Sequence, residues 1–275
     1  MTETRGLVLG GGGPVGRAWQ TGLVASATGS GLDLRSANNI VGTSAGAIVG
    51  AEIALGRDLL TTLPRSKPAA GSPRPDPKLM AMIAEAATAA DPDEVRRLIG
   101  SAALAAETPD EATALGRPNV VPMHGVAWPP RFAATAVSVT TGKLVLLDSD
   151  SGASLQEALA ASSALPGVWP PITIGADRFM DGGVRSSLNV DAVAGADRVL
   201  IISCHPVREG ALAAEIEAFR RLGGTVEVVA PSNEFVELTG GGRGLLDPEL
   251  EAPAFELGRR QWETEAARIT AFWTG

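Results

Sequence analysis

Two short segments carry side chains that together could perform acyl transfer. In Gly42-Thr43-Ser44-Ala45-Gly46 a serine sits where a strand-like run, Asn39 to Gly42, gives way to a helical stretch through Ile48 and Leu55. A serine hydroxyl attacks a carbonyl only if a sharp turn holds it clear of its neighbours, and Gly42, Ala45 and Gly46 are small enough for such a turn. The plainer alternative is a serine that caps the helix. A nucleophile also needs a base. Asp181, within FMDGGV, can take a serine proton if burial raises its pKa and the hydroxyl lies within hydrogen-bonding distance. Asp-Gly is also a turn signal, completed here by Gly182 and Gly183. The two histidines, His124 in a proline-rich stretch and His205 after the run VLIISC, have no accompanying motif. A Ser-Asp dyad is chemically sufficient.

A third segment, LVLGGGGPVGRAWQTG from Leu7 to Gly22, offers bare backbone. Gly11, Gly13 and Gly16 satisfy G-x-G-x-x-G after a strand, and N–H groups at a helix N-terminus attract negative charge. That charge could belong to a dinucleotide or to the oxygen of a reacting carbonyl. A dinucleotide loop is normally followed, about 20 residues on, by an acid at the end of the second strand. Here the second strand ends in the serine turn, and the nearest acid, Asp33, precedes it. The backbone of Gly10, Gly11, Gly12 and Gly13 therefore reads as an oxyanion hole, with a merely tight turn as the bland alternative.

These segments need a scaffold that presents them together. Gly6 to Leu9 reads as a buried strand, and Pro14 suits the first turn of the helix after it. Strand, helix, strand, helix at this spacing implies an α/β fold, with a largely parallel central sheet and helices on both faces. Phe132 to Val139 and Leu144 to Leu147 are expected as strands around the turn TTGK, with a short helix over Leu155 to Ala161. Further strands are expected at Val199 to Ser203 and Val226 to Val229, and a closing helix at about Ala254 to Phe272. Residues 64 to 130 change character: proline-rich ends flank alanine-rich stretches, as in an inserted helical cap, with Leu79, Met80, Met82 and Ile83 as its small core. The 275 residues are expected to form a single domain carrying this cap.

Composition narrows the function classes. A net charge of −8 disfavours nucleic acid and electrostatic attachment to anionic lipid. The single cysteine, Cys204, allows neither an intramolecular disulfide nor a multi-cysteine metal cluster. MTETRG leads almost directly into the first strand, and no run of about 20 apolar residues is present, so a soluble cytoplasmic protein is expected.

Taken in order, GGGGPVG, GTSAG and DGG resemble the patatin-like phospholipase family, as does ASSALPGVWPP (Ala161 to Pro171) ahead of the aspartate. The resemblance spans nearly the whole chain outside the cap. It implies Ser44 as nucleophile, Asp181 as base, Gly11 to Gly13 as oxyanion donors, and Gly16, Gly42, Gly46, Gly182 and Gly183 as supporting glycines. It implies lipid or phospholipid esters as substrates, transient membrane or micelle contact, and no metal or organic cofactor. Two departures stand out. Val15 occupies a position where many members carry a cation, with Arg17 two residues on, and Asn189 stands where a proline often follows DGG, a change expected to affect packing and not chemistry. The rival readings are a Ser-His-Asp esterase in the order Ser44, Asp181, His205, a nucleotide-binding Rossmann-like protein, and a catalytically silent binding module.

Overall fold

The computed structural model describes residues 3–61, 77–86 and 89–275. Its first unit is β1 (Arg5–Leu9), α1 (Gly13–Gly29), β2 (Asn39–Thr43) and α2 (Ala45–Leu55). Within the expected cap lie α3 (Pro77–Ala86), α4 (Pro92–Ala105) and α5 (Glu111–Leu115). Residues 64 to 76 of the expected cap fall outside the described residues. Then come β3 (Phe132–Ser138), β4 (Leu144–Leu147), α6 (Leu155–Ser162), β5 (Ile172–Ile174) and β6 (Asp177–Asp181). The remainder is β7 (Arg198–Ile202), α7 (Gly210–Arg221), β8 (Thr225–Val229), α8 (Asn233–Leu238) and α9 (Glu251–Thr274).

One mixed sheet organises the α/β fold: hydrogen-bonded neighbours link β5, β6, β3, β2, β1, β7 and β8 in turn, with β4 also paired to β3. Strands β3, β2, β1, β7 and β8 are parallel, and β4, β5 and β6 are antiparallel to their partners. Strand alternation sends Leu7, Leu9, Leu200 and Ile202 into a core with Trp19, Val49, Leu159 and Trp262 of α1, α2, α6 and α9. Val8, Val199 and Ile201 face the other way, toward Ile216 and Phe219 of α7. Leu79 and Ala86 of α3 and Ile99 of α4 pack on Val137, Val139, Met180 and Val184, while Met80, Met82 and Ile83 are only partly covered.

The decisive pairing is at β3. Its residues 134–137 pair with β4, so β2 and β6, which overlap that stretch from opposite ends, must share the other edge. Thr43 of β2 lies opposite Thr135, and Asp181 of β6 lies opposite Ala136. Two antiparallel strands thus meet end to end along one edge, and the residues at their tips become neighbours.

Candidate active site

Ser44 sits between β2 and α2 with φ 53° and ψ −116°, a conformation that L-residues rarely adopt. Backbone strain of this kind costs about 1–3 kcal/mol and must be imposed by the surroundings. The glycines allow it: a Cβ on Gly46 would lie 2.1 Å from Leu9 O, and one on Gly42 would lie 2.3 Å from Ala47 Cα. α2 is thereby drawn close against β1. Ser44 makes no side-chain cap to the helix. Its Oγ instead donates to Asp181 Oδ2 at 2.8 Å, across 137 residues of sequence.

Asp181 ends β6 and is 4% exposed. Its other oxygen, Oδ1, accepts Gly183 N–H at 2.7 Å, which fixes the carboxylate plane. Burial pushes its pKa up to about 6, against the opposing pull of the Gly183 amide, the Ser44 hydroxyl and the Arg117 charge. Backbone anchors hold both residues. Ser44 N–H donates to Ser162 Oγ at 2.9 Å, and Asp181 N–H donates to Ala164 O at 3.0 Å.

The glycine loop abuts this pair, since a Cβ on Gly11 would lie 3.5 Å from Ser44 Cβ. The expected set of donors, Gly10 to Gly13, narrows here, since Gly10 N–H donates to Ile202 O at 2.9 Å. Gly11 N–H donates to Ser187 O at 2.8 Å, whereas Gly12 and Gly13 N–H have no acceptor among the described residues. Gly13 has φ 61°, and the carbonyl of Leu245 caps the helix by accepting Val15 N–H at 3.2 Å. Gly16 packs on Cys204, whose thiol burial pushes up to about 12. Arg17 points away from the pair, toward Glu251 at 3.7 Å.

Neither histidine joins the pair. His124 is exposed and bonds Gln156 Oε1 at 2.8 Å. His205 is half-buried, and desolvation lowers its pKa. Both Asp181 oxygens are engaged by Ser44 and Gly183, so the relay expected of a Ser-His-Asp esterase is absent among the described residues. Asp33 caps a short turn at Leu34–Ser36 and does not occupy the end of β2.

Asn189 does more than alter local packing. It is fully buried with φ 52°, a value proline's ring cannot reach. Its amide donates to Thr43 Oγ1, Gly182 O and Ser186 O at 3.1, 3.3 and 2.7 Å, tying the residue before Ser44 to the residue after Asp181. Among the described residues no group of His, Cys, Asp and Glu side chains could hold a metal ion, and no helix is long and apolar enough to cross a membrane.

The family model for patatin-like phospholipases matches residues 7–194, a stretch that includes the glycine loop, Ser44 and Asp181. The chain belongs to the patatin-like phospholipase family. Among solved structures it is similar to VipD from Legionella pneumophila, at 12% identity and a TM-score of 0.47 over 96% of this chain and 67% of that one. It is also similar to the type III effector ExoU, at 16% identity and a TM-score of 0.43 over 97% and 53%. A third match is ExoU in complex with SpcU from Pseudomonas aeruginosa, at 16% identity and a TM-score of 0.39 over 93% and 52%. This patatin-like chain thus spans from about two thirds to about half the length of those chains. No match is found among curated proteins.

Proposed function

We propose that this patatin-like protein is a carboxylic ester hydrolase acting on lipid or phospholipid acyl esters, with Ser44 as nucleophile and Asp181 as general base. The observation that carries the reading is the direct 2.8 Å bond from Ser44 Oγ to a buried aspartate whose pKa burial raises to about 6. Ser44 attacks the ester carbonyl as its proton passes to Asp181. The free N–H groups of Gly12 and Gly13 stabilise the resulting oxyanion, and one such donor is typically worth about 3–4 kcal/mol in the transition state. The alcohol leaves with the proton, and Asp181 then activates water to release the acid from Ser44. These steps call on protein groups alone. Family membership supports lipid as the acyl source. The reading takes residues 1–275 as one catalytic domain with a cap and places the reaction in the cytoplasm, with transient contact at a membrane or micelle.

The test is a chain-length series of nitrophenyl esters together with phospholipids. Folded Ser44→Ala should lose turnover, and a fluorophosphonate probe should label Ser44 in the wild type. Asp181→Asn should lose roughly 10²- to 10⁴-fold, the usual contribution of a positioned base. The double variant His124→Ala, His205→Ala should stay within about tenfold of wild type, since it suffers only packing losses. An inactive, folded histidine variant beside an active Asp181→Asn would replace the aspartate with a histidine base.

A further inference from the structure

Ser162, the last residue of α6, and Ala164, just beyond it, hold both members of the pair by their backbones, because Ser162 Oγ receives Ser44 N–H and Ala164 O receives Asp181 N–H. A helix terminus frays unless its orphan carbonyls find donors. Leu159 O and Ala161 O accept Ser163 N–H and Ala164 N–H, while Ala160 O is served by one buried side chain from outside the helix. Arg117, just after α5, is 7% exposed and sends Nη2 to Ala160 O and Ser163 Oγ, each at 3.1 Å, and Nη1 to Ser163 O at 3.2 Å. Its Nε is anchored on Ala114 O at 2.8 Å, and its guanidinium lies 4.7 Å from the centre of the Trp169 ring.

We infer that Arg117 is a positioning residue for the hydrolytic reaction: by gripping the C-terminal turn of α6 it fixes the two anchors from which Ser44 and Asp181 are held in register. The inference rests on the reading of Ser44 and Asp181 as nucleophile and base. The flat fork of an arginine suits the task, since it serves several carbonyls at once in a fixed plane, whereas a lysine offers one point charge. Displacing reacting groups by about 1 Å can cost about 10²-fold in rate. Arg117 also acts through its charge. Among the described residues it is the charged side chain whose field reaches Asp181, and it favours the ionised base, while the other groups on Asp181, Ser44 and Gly183, are neutral donors. Burial lowers the Arg117 pKa to about 10, so it stays protonated at neutral pH.

The experiment is a pH profile of kcat and KM on one short-chain ester for wild type, Arg117→Gln and Arg117→Lys, with circular dichroism to count folded molecules. Arg117→Gln should lose about tenfold or more in kcat with KM within about threefold. Its acid limb should move up by about half a pH unit or more, because the carboxylate loses its stabilising charge. Arg117→Lys should restore the limb while recovering only part of kcat. A folded Arg117→Gln with wild-type kcat and an unmoved limb would overturn the inference. Should Arg117→Gln not fold, Ser162→Ala decides: removing the Ser44 amide anchor should lower kcat about tenfold and leave the limb in place, and wild-type kcat there refutes the anchoring role. A wild-type profile with no acid limb near pH 6 would instead overturn the aspartate base, and with it this inference.

Discussion

At the residue scale the proposed chemistry centres on one buried carboxylate. Asp181 keeps its proton to about pH 6 in the folded protein, whereas an unfolded aspartate loses it near pH 4. Between those values the native state binds more protons than the unfolded state, so stability must fall as pH rises from about 4 to about 6 and then level off. The ionised state that the proposed mechanism uses is therefore the less stable one. Asp181→Asn removes this titration while keeping an acceptor for Gly183. It should match the wild type in thermal unfolding near pH 4 and exceed it at pH 7.5, by on the order of 1–3 kcal/mol. Equal stabilities at pH 7.5 would show that the carboxylate is not desolvated as the structure has it.

At the element scale, glycines set how closely backbones approach, and they do so at two places with different consequences. A Cβ on Gly22 would lie 2.1 Å from Phe255 O, and one on Gly258 would lie 2.1 Å from Trp19 O, so α1 and α9 cross in close contact. The contacts at that crossing involve neither Ser44 nor Asp181. Gly258→Ala should cost about 1–3 kcal/mol, the usual price of overpacking, read as a lower melting temperature with unchanged activity per folded molecule. Gly46→Ala meets the backbone of β1 and must push α2 away, which moves the turn bearing Ser44. It should lose activity even where it remains folded. Comparable specific activities in these two variants would disprove the distinction.

For the whole molecule, the glycine loop bears on the choice between a phosphate and the proposed oxyanion. Gly11 and Val15 N–H are engaged by the carbonyls of Ser187 and Leu245, which belong to distant segments of the chain. The two free donors fit the single developing charge of the proposed mechanism, and β2 ends in Thr43 with no acid there for a ribose. NAD or NADP at millimolar concentration should leave the melting temperature unchanged, since a ligand bound only to the native state would raise it by mass action. A saturable upward shift would bring back a dinucleotide site.

Much of this was legible along the chain because it is local. The strand-turn-helix settings of Gly10 to Gly13 and of Ser44, and the alternation of β1 and helices into a parallel sheet, follow from residue size and periodicity within short windows. The helix closing the chain was also visible, although it begins at Glu251 and ends at Thr274, a few residues beyond the periodic stretch at either end. Other elements were too short or too weakly patterned: β5 has only 3 residues, β6 reads as a turn from its Asp-Gly end, and α7 was passed over. Asn189 gave no local sign of its role, because the partner that ties it to the serine turn, Thr43, is distant in sequence from a residue that stands where a proline often falls. Residue types and short spacings thus determined which groups could react. Tertiary structure alone decided that β2 and β6 share one edge of β3, that Gly11 has no free N–H, and that Arg117 grips α6, because each depends on segments that meet only when the sheet is assembled.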